Sequence, residues 1–177
     1  MTERLTKPDW IRHGLRTLAR KGAGALKVGP MAESLKVSRG SFYWHFEDIA
    51  DFRAQLLSAW QERTTDQMIQ ELAEQAEPDR LRHLLGRGFD GRLSLDRAIR
   101  SWAAEDHSVA AIVASVDDRR VTHIAGLLTA AGVESRRALH RARFLYWAYL
   151  GQATVMDPRH ASLDAAAMDD IGELFEG

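Results

Sequence analysis

The stretch "LKVSRGSFYWHFED", from Leu35 to Asp48, sets the tightest limit on the fold. A three-residue turn, "KVS", leads into a segment with five consecutive aromatic or imidazole side chains, Phe42 to Phe46. Neighbouring residues on a helix point about 100° apart, so three adjacent large rings cannot all enter one core. Phe42 and Phe46 are four apart and share a face, which leaves Tyr43 and Trp44 directed elsewhere. The pattern calls for a small helical module with one buried face and one presented face. The presented rings fit an aromatic cluster within the fold, a protein interface or a nucleic-acid surface.

The surrounding periodicity is helical throughout. Trp10, Ile11, Leu15, Leu18 and Ala19 follow the spacing of an amphipathic helix after Pro8, predicting a first helix over Pro8 to Lys21. A second runs from about Val28 to Leu35, with Pro30 in its first turn. Ser38 is a good N-cap for a third, from Arg39 to about Phe46. Two short helices joined by a tight turn outline a helix-turn-helix. From the Asp48 cap a long amphipathic stretch reaches about Gln75, and Pro78 closes it. Further helices are expected over Asp79 to Arg87, Ser94 to Glu105, Val109 to Ser115, Asp117 to Ala131, Glu134 to Val155 and Ser162 to Phe175. No stretch alternates as a β-strand does, and the chain shows no internal repeat. The expected fold is all-α: a three-helix head over 1–47 and a helical body over 48–177.

Charge follows the same division. Residues 1–47 hold nine bases and four acids, a net of +5, and the remainder nets −6. All four lysines lie at or before Lys36. A basic head on an acidic body suits a polyanion partner, and it also fits a solvated helix face. The chain has no cysteine, which excludes disulfides and thiolate metal sites. The N-terminus has no apolar core of signal-peptide length, and no run approaches the roughly 18 apolar residues of a membrane span. A cytoplasmic protein without membrane contact is expected.

In a helix-turn-helix, residues at the start of the second helix meet base edges and flanking side chains hold phosphates. Arg39 can donate two hydrogen bonds to guanine, Gly40 lets the backbone approach, and Tyr43 and Trp44 suit thymine methyls and sugar faces. Ser38, Ser41, Tyr43 and His45 are candidate phosphate contacts, as is Lys27 at the entrance of the second helix.

The segment from about Pro8 to Trp60 closely resembles the head of the TetR family of bacterial transcriptional regulators. Ala32, Leu35, the Val37-Ser38 turn, Gly40-Ser41 and above all "FYWHF" carry the resemblance. It implies a homodimer with a DNA-binding head and a ligand-binding, dimerising body, most often a repressor released from a near-palindromic operator by a small-molecule effector. Two positions depart from relatives, which often carry a basic residue where Ile49 stands and sometimes where Gly29 stands. A helical dimerisation protein whose head has lost DNA binding is the alternative.

In the body, Leu139, Ala142, Tyr146, Tyr149, Leu150 and Ala153 form an apolar stripe. With Ile171 and Leu174 of the final helix it supplies either a four-helix dimer interface or intramolecular core. Trp60, Phe89, Trp102, Phe144 and Trp147 are the aromatic residues for a ligand pocket, or for ordinary core. His83, His107 and His123 are isolated, so no metal is expected, and no cofactor. Glu105 and Asp106 beside His107 are the one acid-base grouping. There is no Gly-rich phosphate loop, no H-E-x-x-H and no nucleophile elbow, so an enzyme is not expected.

Overall fold

The computed structural model describes residues 5–76, 80–88, 94–152, 155, 157, 160 and 163–176, and every regular element among them is helical. In chain order these are α1 (Lys7–Lys21), α2 (Val28–Ser34), α3 (Arg39–Tyr43), α4 (Ile49–Gln61), α5 (Gln67–Ala73), α6 (Arg80–Gly88), α7 (Ser94–Ala103), α8 (His107–Ala130), α9 (Ser135–Gln152) and α10 (Ala165–Glu176). The all-α expectation holds.

Two compact units partition the chain. The first is Met1–Thr64 with Ser94–Val113, and the second is Thr65–Leu93 with Ala114–Gly177. Helices α4 and α7 both pack on α1, which groups them with the helix-turn-helix segment in the first unit.

The first unit is built on rings. Phe42 of α3 is fully buried, with its centroid 5.3 Å from Trp10, 5.4 Å from Phe52 and 5.0 Å from Phe46. The contacts to Trp10 and Phe52 are edge-to-face, the arrangement in which a ring's positive rim meets another's negative face. Trp60 on α4 is also fully buried, and its indole N–H donates to the buried Asp96 carboxylate of α7 at 2.7 Å. At Gly14 the packing leaves no room for a side chain: a Cβ there would lie 2.5 Å from Phe52 Cζ and 2.6 Å from Leu56 Cδ1.

Caps explain where the helices begin. Asp9 accepts from the Thr6 backbone N–H at 2.9 Å and from its hydroxyl at 2.6 Å. Asp48 caps α4 as expected, accepting from Asp51 N–H at 2.8 Å. The long helix from Asp48 is interrupted by one π-type turn, Glu62–Asp66, where the Thr64 hydroxyl bonds back to the Trp60 carbonyl at 2.8 Å.

Two other boundaries differ from expectation. The helices expected over Val109 to Ser115 and Asp117 to Ala131 are one helix, α8. Its cap is Asp106, which accepts from Ser108 N–H at 2.9 Å, while Asp117 accepts from the Tyr146 hydroxyl at 2.7 Å and starts nothing. Helix α3 ends at Tyr43, three residues early, with the turn tightening through His45 N–H to the Phe42 carbonyl at 2.9 Å.

The core of the second unit joins Leu81 and Leu85 of α6, Leu128 of α8, Ala138, Ala142 and Leu145 of α9 and Met168 of α10. Helix α8 closes on Gly132 at φ 96°, with Gly132 N–H bonding Thr129 O and Val133 N–H bonding Leu128 O, both at 3.0 Å. This is the Schellman arrangement, and buried Val133 completes its apolar contact.

The close approach at Gly14 yields a stability prediction. Gly14→Ala forces a methyl into fixed rings and should cost about 1–3 kcal/mol, although alanine is the better helix former. Urea unfolding should show a lower midpoint with an unchanged slope. A wild-type midpoint would refute the close packing of α1 on α4.

A candidate nucleic-acid interface

The turn between α2 and α3 is fixed by backbone bonds. Lys36 adopts φ 57°, and Lys36 N–H donates to the Glu33 carbonyl while Val37 N–H donates to the Ala32 carbonyl, each at 3.0 Å. That is the Schellman closure seen at Gly132, here with a lysine at the left-handed position. Ser38 then takes the N-cap backbone conformation of α3, and its carbonyl accepts from Ser41 N–H at 3.0 Å.

This geometry sorts the aromatic run. Phe42 and Phe46 are buried as their spacing requires, whereas Tyr43 is 59% and Trp44 75% exposed. Lys27, Ser38, Arg39 and Gly40 are also exposed, and Ser41 is half-buried. The sequence-derived residues thus come together on one module, at the start of α2 and along α3.

His45 stands apart. It is half-buried, and its Nε2 lies 2.9 Å from the Leu5 carbonyl, forty residues away in sequence. A carbonyl only accepts, so this nitrogen carries the proton. His45 therefore ties the chain entering α1 to the end of α3. The Lys7 ammonium, 5.4 Å from the centre of the Phe46 ring, adds a second link between the same segments. No local pattern could have announced either contact.

The start of α4 is closed by its own carboxylates. Besides the Asp48 cap, Asp51 accepts from Glu47 N–H at 3.1 Å and from Gln55 Nε2 at 2.7 Å. The Gln55 bond and then the Glu47 bond hold the Asp51 carboxyl below the usual carboxylate range. Ile49, half-buried, contributes no charge here. On α1, burial first, then Arg16 and Lys21, lower the pKa of His13, which favours its neutral form.

The other predicted sites are rearranged. Of the pocket residues, Trp60 and Trp102 are buried in the first unit, and Phe89 lies outside the described residues. Phe144 and Trp147, in the second unit, are 59% and 66% exposed on α9. Of the interface stripe, Ala142 and Tyr146 are buried, as the intramolecular-core alternative has it: with Ala138 and Leu145 they form the inward face of α9. Leu139, Tyr149, Leu150 and Ile171 are half-buried, Leu174 is 73% exposed, and Ala153 lies outside the described residues.

Among the described residues there is no grouping of His, Cys, Asp or Glu able to hold a metal, and no helix is long and apolar enough to cross a membrane.

Two short helices closed by a Schellman turn, anchored by buried rings and presenting Arg39, Tyr43 and Trp44, define a helix-turn-helix DNA-binding head. Residues 11–56 match the family of bacterial regulatory proteins, tetR family. Those residues carry the TetR-family head.

Solved structures extend the likeness in fold over nearly the whole chain. The reduced form of E. coli NemR superposes with a TM-score of 0.75 at 14% identity, covering 94% of this chain and 96% of that one. A putative transcriptional regulator from Saccharomonospora viridis in complex with choline gives 0.72 at 16%, covering 94% and 95%. The transcriptional regulator FadR from Bacillus subtilis in complex with stearoyl-CoA gives 0.70 at 15%, covering 97% and 98%. No curated protein sequence matches the chain.

The tie between His45 and Leu5 is testable. His45→Ala removes one hydrogen bond and should lower unfolding stability by about 0.5–1.5 kcal/mol. The salt dependence of DNA binding should keep its wild-type slope, since the imidazole is already engaged. A slope reduced by about one would instead make His45 a phosphate contact.

Proposed function

We propose that this protein is a homodimeric, ligand-responsive repressor whose paired α3 helices read successive major grooves of a near-palindromic operator, about one helical turn apart. The observation that carries this reading is the division of one short helix between a buried anchor, Phe42, and an exposed surface of Arg39, Tyr43 and Trp44. Solvent-facing rings of this size cost free energy in a monomer in water, and base and sugar faces remove them from it. Arg39 supplies the direct contact to a base edge, and Lys27, Ser38, Ser41 and Tyr43 supply phosphate contacts.

Dimerisation is assigned to the outward face of α9 with α10. His140, Arg143, Phe144, Trp147, Ala148 and Gly151 are all exposed and fall on one helical stripe. Phe144 stacks on Phe175 of α10 at 6.0 Å, and the exposed Leu174 lies one residue away in sequence. Two such helices from each of two copies make a four-helix interface of the isologous kind.

The effector is a small molecule bound by the body. The choline and stearoyl-CoA complexes of structural neighbours support a ligand in this class of fold without identifying this one. Whatever its identity, it acts only through a higher affinity for the conformation that does not fit DNA, so saturation with it must lower operator affinity.

Selection of bound sequences from a random duplex pool tests the central reading. The wild type should enrich an inverted repeat, and Arg39→Ala should lose preference at one base pair in each half. Lys27→Ala should weaken all sequences alike and reduce the salt slope by about one. Equal losses on cognate and random DNA from both variants would reject these roles.

Oligomeric state is the second test. Trp147→Glu should shift sedimentation from dimer to monomer while keeping the helical circular dichroism signal. A dimer that survives this change places the interface elsewhere.

A further inference from the structure

Arg39 does not extend freely into solvent. Its guanidinium lies beside Gly29, in the first turn of α2: a Cβ built at Gly29 would be 3.0 Å from Nη2, 3.3 Å from Nε and 3.4 Å from Cζ. The two nitrogens are nearer that point than the central carbon, so the group turns its Nε–Nη2 edge toward Gly29. The remaining two-donor edge of the fork is Nη1–Nη2. Gly29, Pro30, Ala32, Glu33, Val37 and Arg39 line one shallow, open depression between α2 and α3. Its floor is rigid, because Pro30 fixes φ in the first turn and Ala32 and Val37 belong to the Schellman closure.

We infer that Gly29 is a positioning residue for base recognition: its missing side chain lets the α2 backbone serve as a rest that sets which edge of the Arg39 guanidinium is offered to DNA. The inference rests on the proposed DNA-reading role of Arg39 and adds a residue that no base contact would reveal.

The physical basis is the narrow tolerance of two-pronged recognition. Arginine reads guanine through two parallel N–H donors on one edge of a planar fork, and displacements of about 0.5 Å or tilts of about 10–20° degrade such a pair. A methyl at Gly29 would press on the Nε–Nη2 edge from within its contact distance, so the fork must shift by a few tenths of an ångström. The displacement moves a flexible side-chain tip and leaves the α2 backbone in place. Holding one edge also restricts the rotamers of a long side chain before DNA arrives, which lowers the ordering cost on binding.

The test is selection from a random duplex pool by wild type, Gly29→Ala, Gly29→Leu, Arg39→Ala, Arg39→Lys and the double variant Gly29→Ala/Arg39→Ala. Gly29→Ala should reduce preference at the base pair read by Arg39 by about fivefold, the lower end of what a bidentate arginine pair supplies, and Gly29→Leu should reduce it further. Other positions of the enriched repeat should keep their preference. Because alanine and leucine form helix better than glycine, melting temperature should stay level or rise, which separates repositioning from misfolding. In the Arg39→Ala background changing Gly29 should add nothing, and Arg39→Lys, which keeps the charge without the fork, should lose the same preference.

If the wild type enriches a repeat and Arg39→Ala relaxes it, but both Gly29 variants keep full preference, the inference is overturned and the regulator reading stands. A loss spread evenly over all positions would also overturn it, making Gly29 a structural residue only. Failure of the wild type to enrich any sequence would overturn both.

Discussion

The burial of Phe42 is the constraint on which the DNA-binding unit depends. Its ring meets Trp10 of α1, Phe46 beyond α3 and Phe52 of α4, so one side chain ties α3 to α1 and α4. A helix of five residues has no independent stability, since nucleation consumes more conformational freedom than its few bonds return. Helix α3 exists because the Phe42 ring is held on several sides. The presented face is therefore oriented by the core beneath it, and tilting α3 would require opening the aromatic cluster.

Much of this was legible in the chain. The i, i+4 relation of Phe42 and Phe46 is a local signal, and so are the Asp48 cap and the stop at Gly132. The features that escaped have physical reasons. Asp117 and Asp118 look like a helix start, yet Asp117 is engaged by a tyrosine twenty-nine residues away, which composition does not disclose. Helix α9 is apolar on two sides, so periodicity identified a helix without saying which side faces inward. The core took Ala142 and Tyr146, and solvent was left with Phe144 and Trp147. The bond from His45 to the Leu5 carbonyl joins segments that only the completed fold brings together.

The exchange of roles on α9 is informative about the second unit. Its inward positions hold the small and medium side chains Ala138, Ala142 and Leu145, against leucines of α6 and α8, and one ring, Tyr146, whose hydroxyl is engaged by Asp117. Small residues let helices approach closely, which leaves little space for a further ring beside Tyr146. Phe144 and Trp147 occupy other faces of the helix and stay outside. Large rings left outside in this way are suited to meeting another surface, whose shape is not fixed by the same tight interior.

The two Schellman closures invite comparison, because the same bonds enclose glycine at one site and lysine at the other. A left-handed backbone costs a side chain roughly 1 kcal/mol at Lys36 and nothing at Gly132. Yet Lys36 is a cation one residue past the Leu35 C-cap of α2, where the partial negative charge of the last carbonyls favours positive charge by about 0.3–1 kcal/mol. The two terms are comparable and opposite, so the fold is nearly indifferent to the exchange of lysine and glycine there. Stability then imposes little selection at position 36, and sequence drift at that point of the turn can follow the demands of charge rather than those of folding.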